Sequence, residues 1–353
     1  MDLIVKNARI ENGDAAWTAD IGIDDGRIAE IRPGLESDTA ETLDVGGRLV
    51  TSGFVETHIH LDKSRILDRC GTGTGTLEDA IGGVARAKRD FTPEDVYHRA
   101  KATLERSIVN GTTHMRTHLE VDSTIGLRGL EGVLPLVAEY AWAIDLEICI
   151  FPQDGMLNLP GTEALMIEAL KRGGSVVGAC PYMDSDPTGQ IDRVFEIARE
   201  FDVDIDMHLD FDLDPEGGDL EYVCDMTERL DYGGRVAVGH VTKISAMTPA
   251  HFEATAKRMA QSGVALTVLP STDLFLMGRG HDYSTTRGVT PAHRLLRHGV
   301  NCSLSTNNVL NPFTPFGDGS LLRMANLYAN VCQVGARGDV IECFRMISDR
   351  PAH

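Results

Sequence analysis

A regular alternation of short apolar runs with amphipathic stretches most constrains how this 353-residue chain can fold. From about residue 50 onward, each apolar run has strand length and is followed by a stretch whose apolar residues have helical spacing. Strands that alternate with helices favour a parallel sheet covered by those helices. Eight such runs are present, at residues 49–60, 113–121, 145–153, 175–182, 204–211, 235–241, 264–270 and 300–307.

The stretches between these runs predict helices, because several begin near Pro, Thr or Asp and end at Gly. Eight strand-and-helix units predict a (β/α)8 barrel, or TIM barrel, over residues 51–353. Residues 1–50 instead hold short strand-like pieces separated by turn signals such as Asp25-Gly26, and they predict a small β-sandwich portion. The predicted helices include residues 93–109, 130–142, 162–172, 191–201 and 249–262.

Charge and cysteine content exclude several classes of protein. The 33 basic and 53 acidic residues give a formal charge of −20, which repels nucleic acid and anionic membranes and favours a neutral or cationic small molecule as partner. The seven scattered cysteines form no Cys-X-X-Cys pair, so we expect a reducing compartment. Since neither a signal peptide nor a membrane-span-length apolar run is found, we expect a cytoplasmic protein that binds no nucleic acid and no membrane.

Histidines close several of the predicted strands, at the end where a TIM barrel carries its catalytic groups. His58 and His60 close the first strand, and because they are two residues apart both imidazoles can reach one metal ion. His208 closes the fifth strand and His240 the sixth. Taken alone, the first pair is equally consistent with a chance pair on an exposed strand. Four of the twelve histidines at one rim favour a metal site.

Local motifs from about residue 50 to residue 340 carry a more specific signal. They are Gly53-Phe-Val-Glu-Thr-His-Ile-His-Leu-Asp-Lys63, Asn110-Gly-Thr-Thr-His-Met-Arg116, Phe151-Pro-Gln153, Leu276-Met-Gly-Arg279 and Pro315-Phe-Gly-Asp-Gly319. With the histidines of strands one, five and six, these motifs resemble the amidohydrolase superfamily, in its branch of cytosine deaminase and N-isopropylammelide amidohydrolase. The chain is identified as a member of that branch.

The resemblance implies a ligand set and a reaction. By it, His58, His60 and His208 hold one divalent metal ion, Zn or Fe with Mn as a further option, which lowers the pKa of a bound water toward ~7. His240 lies where the family uses a histidine to orient the attacking water or to polarise the developing oxyanion. Gln153 resembles a glutamine that hydrogen-bonds a ring amide of the substrate. The further substrate-binding positions that the resemblance implies are Asn308, Phe313 and His118.

Two positions depart from the family pattern. The eighth strand of the family ends in an aspartate that ligates the metal and accepts a proton from water, whereas this chain has Asn307, whose neutral amide is a far poorer base. A family glutamate after strand five is replaced by Phe211. Strand alternation predicts that Asp210 shares the face of His208, which makes Asp210 the catalytic substitute. A buried structural carboxylate is the competing interpretation of Asp210.

Relatives in this branch continue beyond the barrel with strands that pair with the N-terminal β-structure. This chain ends at His353, directly after the last predicted barrel helix, so we expect the C-terminal sandwich strands to be missing. The sequence is then a shortened form, or another subunit completes the sheet, or an edge stays exposed. Because exposed edges favour association, a homo-oligomer is expected.

We interpret the chain as a metal-dependent hydrolase that cleaves a carbon–nitrogen bond, other than a peptide bond, of a small nitrogen heterocycle. Deamination of a cytosine-like ring is the leading reaction. Two alternatives stay open. One is release of a substituted amine or opening of a cyclic amide, and the other is a barrel that binds a heterocycle but has lost catalysis, which Asn307 and Phe211 would explain.

Overall fold

The computed structural model describes residues 1–12, 15–71, 73–280 and 282–352. The chain divides into two compact units, residues 1–53 and 54–353. Each unit is built around its own β-sheet.

The first unit contains a four-stranded sheet. Its strands are β1 (Leu3–Asn12), β2 (Ala15–Asp24), β3 (Arg27–Arg32) and β4 (Glu41–Asp44). They lie in the order β3-β2-β1-β4, with β1 antiparallel to β2 and parallel to β4. Ile4, Ala8, Ile21 and Leu35 are its buried apolar side chains, together with Ala19. The predicted N-terminal β-structure is confirmed, and its described residues form a single sheet.

Eight parallel strands follow one another in chain order around the second sheet. They are β5 (Phe54–Ile59), β6 (Thr112–Glu120), β7 (Asp145–Phe151), β8 (Val176–Ala179), β9 (Asp204–Leu209), β10 (Val236–His240), β11 (Val264–Val268) and β12 (Cys302–Leu304). A parallel bridge between Ile59 and Asn307 joins the two ends of the sheet. There the His60 N–H donates to the Asn307 carbonyl at 2.9 Å. The predicted TIM barrel is therefore confirmed.

The first barrel strand is shorter than predicted. It begins at Phe54, whereas the apolar run in the sequence begins at Leu49. Leu49 instead forms a parallel bridge with Arg9 in the N-terminal unit. The intervening Thr-Ser-Gly segment, residues 51–53, is a turn signal that separates the two strands.

The helices begin where the sequence provides caps. Thr92 accepts a hydrogen bond from the Asp95 N–H, and Pro93 follows at the first helical position, where its missing N–H costs nothing. The helices are α1 (Leu77–Ala87), α2 (Pro93–Val109), α3 (Arg128–Glu139), α4 (Thr162–Lys171), α5 (Pro187–Phe201), α6 (Leu220–Arg229), α7 (Pro249–Ser262), α8 (Pro270–Leu276), α9 (Ala292–Leu295), α10 (Leu321–Val331) and α11 (Arg337–Arg345). Within the described ranges, none of them has the length and apolar character needed to cross a membrane.

Parallel strands bring all of their carboxyl ends to one rim of the barrel. Residues that are far apart in the chain therefore become neighbours just beyond the strand ends. The histidines identified in the sequence lie at this rim.

Candidate active site

Three histidine side chains meet between β5 and β9. His58 and His60 point to the same side of β5, and His208 faces them from β9. The Nε2 atom of His208 lies 3.0 Å from Nε2 of His58 and 3.1 Å from Nε2 of His60. All three side chains are almost completely buried. The structure thus brings together the three residues that the sequence predicted as metal ligands.

The three Nε2 atoms can be satisfied by one metal ion, but they cannot all be satisfied by hydrogen bonds to one another. Burial lowers the pKa of His58, His60 and His208 well below the ordinary histidine value, so the rings are neutral at neutral pH. A neutral imidazole nitrogen carries either one proton or one lone pair, so His208 Nε2 cannot make two hydrogen bonds at once. A divalent cation would accept all three lone pairs.

A neighbouring contact orients one of these rings. The Nδ1 atom of His60 lies 3.1 Å from the carbonyl oxygen of His118, which can only accept a hydrogen bond. The proton of neutral His60 is therefore on Nδ1, and its Nε2 lone pair faces His208. Such an outer hydrogen bond is the usual way in which a metal-binding histidine is held.

Asn307 supplies a further oxygen at this rim. It follows β12, and its side chain is buried. The Oδ1 atom makes no hydrogen bond with any of the described residues. A buried amide oxygen without a partner is costly, and a cation or a bound donor would satisfy it.

His118 lies behind the site. Its ring stacks on that of His58, with centroids 3.8 Å apart, and its Nε2 atom lies 3.3 Å from Asp206 Oδ1. His118 is fully buried and does not line the cavity beside the three imidazoles, so its position does not support the predicted substrate contact. His58, His118 and His208 also lie close enough together to form a metal-binding triple. His60 differs from His118 in that it lines the cavity and its Nε2 atom lies 3.1 Å from His208 Nε2, which favours His60 as the third ligand.

A narrow cavity opens at the rim beside the three imidazoles. Most of the predicted site residues contact it, whereas His58, His118 and Asp210 do not. None of the described residues that line it is Asp or Glu. Those that were predicted from the sequence are His60, His208, His240, Gln153, Asn307, Asn308 and Phe313.

A buried lysine determines what Gln153 can offer to a ligand. Lys63 Nζ lies 2.8 Å from Glu120 Oε1 and 2.9 Å from Gln153 Oε1, and its side chain is 2 % exposed. An ammonium group can only donate, so Lys63 uses one lone pair of the Gln153 oxygen, and the Gln153 NH2 group donates one of its two N–H bonds to Cys180 Sγ at 3.5 Å. One N–H and one oxygen lone pair of Gln153 have no partner among the described residues, so the expectation that Gln153 offers both a donor and an acceptor stays a prediction.

The same lysine connects two other predicted site residues. Phe313 covers Lys63 Nζ, with 4.8 Å between that atom and the ring centroid. Asn308 Oδ1 accepts a hydrogen bond of 2.6 Å from Asn311, which in turn donates to the Lys63 carbonyl oxygen. Phe313 and Asn308 therefore both line the cavity and hold the segment that carries Lys63.

Asp210 does not share the face of His208. β9 ends at Leu209, and Asp210 has a φ of +49°, which turns its side chain away. Its carboxylate accepts hydrogen bonds from the backbone N–H groups of Asp219 (2.8 Å) and Leu220 (3.1 Å), at the start of α6. The predicted direction of the Asp210 side chain is therefore wrong, because alternation along a strand stops where the strand stops, and these contacts favour the competing interpretation of a buried structural carboxylate.

His240 is held by a carboxylate that faces away from the cavity. Its Nδ1 atom lies 2.6 Å from Asp273 Oδ1, and Asp273 is completely buried. The ring of Phe211, the residue in place of the family glutamate, packs on His240 with centroids 4.0 Å apart.

Sequence reasoning missed Tyr182 and Thr272, which also line the cavity. Tyr182 is the last residue of the predicted strand 175–182 and Thr272 lies two residues after the predicted strand 264–270, so the rule that drew attention to the histidines could have found them.

A TIM barrel with imidazoles gathered at its carboxyl rim defines a class of metal-dependent hydrolases. The model of the amidohydrolase family matches residues 137–353, and the chain belongs to that family. It is a metal-dependent hydrolase, and the resemblance to the branch of cytosine deaminase and N-isopropylammelide amidohydrolase is confirmed by the relatives.

Three relatives illustrate this likeness. N-isopropylammelide isopropyl amidohydrolase of Pseudomonas sp. (strain ADP) is 26% identical over 99% of this chain and 85% of that protein. Pterin deaminase of Rhizobium rhizogenes is 29% identical over 85% of this chain and 69% of its own length. The crystal structure of 5-methylcytosine deaminase from Klebsiella pneumoniae, liganded with 5-fluorocytosine, superposes with a TM-score of 0.92 at 28% identity, over 99% of this chain and 85% of that one.

Proposed function

We propose that this protein hydrolyses the bond between a ring carbon and an exocyclic amino or alkylamino group on a small, oxo-substituted nitrogen heterocycle. The observation that carries the proposal is the meeting of three neutral imidazole nitrogens beside a cavity that offers hydrogen-bond donors. The similar proteins remove amino or isopropylamino groups from pterin, 5-methylcytosine or ammelide rings, according to their names.

The cavity favours a ring with a carbonyl edge. Lys63 can only donate, and Gln153 keeps one N–H for a ligand after its contacts with Lys63 and Cys180. A ring carbonyl placed between them would accept both hydrogen bonds, while Phe313 provides an apolar face. An oxo-rich ring, such as a triazine that carries carbonyl groups, therefore suits these two residues.

His58, His60 and His208 would hold a divalent ion, and Asn307 Oδ1 would contribute a neutral oxygen as a fourth ligand. When bound, such an ion makes water nucleophilic near neutral pH. Phe211 and Phe313 exclude bulk water from the reacting carbon. His240 presents its free Nε2 atom to the same cavity.

Metal analysis followed by a substrate screen tests the proposal. The purified chain is stripped with a chelator and reloaded with Zn²⁺, Fe²⁺ or Mn²⁺, and bound metal is measured by mass spectrometry. Release of ammonia or amine is then measured from cytosine, 5-methylcytosine, ammelide, N-isopropylammelide and a hydantoin. About one ion per chain, with turnover of an amino-substituted ring, supports the proposal. Binding of these rings without turnover of any of them would overturn it and favour the binding-only barrel.

Two further expectations stay predictions. Sedimentation of the purified chain tests the homo-oligomer, and fractionation of the source cells tests the cytoplasmic location.

A further inference from the structure

We infer that Asp273 is a positioning residue that holds His240 in its Nδ1–H tautomer, so that the Nε2 lone pair faces the substrate cavity. The consequence of this inference for catalysis rests on the proposed function. The tautomer itself is a property of the folded chain and can be measured without a substrate.

The contact between the two side chains carries the inference. His240 Nδ1 and Asp273 Oδ1 are 2.6 Å apart, and both side chains are buried. The second carboxylate oxygen, Oδ2, accepts a hydrogen bond of 3.2 Å from the Leu269 N–H. Both oxygens are therefore engaged, and the carboxylate cannot rotate away from the imidazole.

Asp273 is more than a cap for α8. A structural cap needs only the oxygen that binds the Leu269 N–H, and an asparagine would serve equally well. Within the described part of the chain, Asp273 makes no ion pair with any lysine or arginine, and its one ion-pair partner is His240. A buried carboxylate that faces a single imidazole fixes the proton of that ring on the nitrogen nearest to it.

The other nitrogen of His240 is free to act. Among the described residues, His240 Nε2 makes no hydrogen bond, and the residue lines the cavity. His240 is the last residue of β10 and has a backbone φ of +71°, a conformation that residues other than glycine seldom adopt. Phe211 packs against the ring and leaves it no alternative polar partner on that side.

Hydrolysis needs a group that can accept a proton, such as His240 Nε2. As the oxygen–carbon bond forms and the carbon–nitrogen bond breaks, one proton passes from the attacking water to the departing nitrogen. The described cavity-lining residues include no carboxylate, Lys63 already donates to Glu120, and burial raises the pKa of Tyr182 well above its ordinary value. Outside the ligand set, His240 Nε2 is the basic lone pair among the described lining residues, since the amide and hydroxyl oxygens there are far weaker bases, and it can take that proton and return it to nitrogen.

The tautomer can be observed directly. In a chain labelled with ¹⁵N-histidine, His240 is assigned by comparison with the His240→Gln variant. We expect a protonated Nδ1 and an unprotonated Nε2 at pH 8 in the unmodified chain. A protonated Nε2 in that chain would overturn the inference, and this arm does not depend on any variant that could fail to fold.

The second arm uses Asp273→Asn, because the asparagine amide can donate to His240 Nδ1 and so move the proton to Nε2. We expect kcat to fall at least ~100-fold, KM to stay within about threefold, and metal content to stay unchanged. Asp20→Asn is the control, since it alters a buried carboxylate of the N-terminal sheet that accepts hydrogen bonds from two backbone N–H groups, and it should retain wild-type kcat. If Asp273→Asn retains kcat within about threefold, the inference is wrong. If the unmodified chain turns over no ring, the proposed function fails, while the ¹⁵N spectrum still decides the role of Asp273.

Discussion

The Nε2 atoms of His58 and His208 lie 3.0 Å apart, although the two residues belong to the first and fifth strands of the barrel. Water is excluded from both rings, so neither nitrogen can satisfy itself with solvent. Together with His60 they form a cluster whose nitrogen lone pairs would be satisfied better by a cation than by hydrogen bonds among the three rings. Several testable consequences concern this cluster and the residues that support it.

Removal of one imidazole should abolish stoichiometric metal binding. We expect His208→Ala to lower the affinity for Zn²⁺ by more than ~100-fold, because loss of a direct ligand should cost at least as much as loss of an outer partner. Metal retained after dialysis, measured by mass spectrometry, checks this. His98→Ala, which removes an exposed histidine on α2, should retain the metal. Equal retention by both variants would show that the ion lies elsewhere.

Asn307 should tune metal affinity through charge. Asn307→Asp adds a negative charge beside the ion, so we expect tighter Zn²⁺ binding by about tenfold, the direction that attraction between opposite charges dictates. Asn307→Ala removes the buried oxygen and should weaken binding. Competition with a fluorescent chelator measures both. The idea that Oδ1 faces the ion fails if the two variants change affinity in the same direction.

Lys63 should matter for both stability and substrate binding. Lys63→Met removes a donor from the cavity and leaves Glu120 with one lysine partner, Lys88, so we expect a loss of about 3 kcal/mol in the free energy of unfolding. Urea unfolding measures this loss. The double variant Lys63→Met/Glu120→Gln should recover part of the stability, because the carboxylate is gone, but it should not recover substrate affinity. Recovery of both would mean that Lys63 has only a structural role.

Asp95 should stabilise the protein in a pH-dependent way. Burial alone would raise its pKa, but hydrogen bonds from Arg69 and Arg99 outweigh this and lower the pKa from 3.8 to about 2. An acid whose pKa is lowered by folding stabilises the folded state above the unfolded value and loses that contribution as the pH falls toward the folded value. Asp95→Asn should therefore lose about 2 kcal/mol at pH 7, and the deficit should shrink between about pH 4 and pH 2.

Urea unfolding at several pH values checks this difference, with Asp38→Asn at an exposed position as the control. A deficit that does not change with pH would contradict the assigned cause. Arg99 also donates to the carbonyl oxygens of Asp62 and Ser64, which flank Lys63. Loss of Asp95 should for that reason also weaken substrate binding.

The elements of the barrel could be predicted because each leaves a local pattern. His58 and His60 are two residues apart in a strand-like run, so the sequence predicted that they face one side, and both contact His208 although β5 ends at Ile59. Thr92 and Pro93 marked the start of α2 because capping is decided within one turn of the chain. Such features depend on near neighbours in sequence, and the sequence was sufficient to locate them.

The directions of side chains beyond the strand ends were decided by contacts between distant segments. Asp210 turned toward α6 because two backbone N–H groups there needed an acceptor, and the Gln153 oxygen accepts a hydrogen bond from a lysine ninety positions away in the chain. Asp273 meets His240 across two strand ends for the same kind of reason. Buried polar atoms must find partners wherever the fold brings them, and no local pattern records which partner that will be.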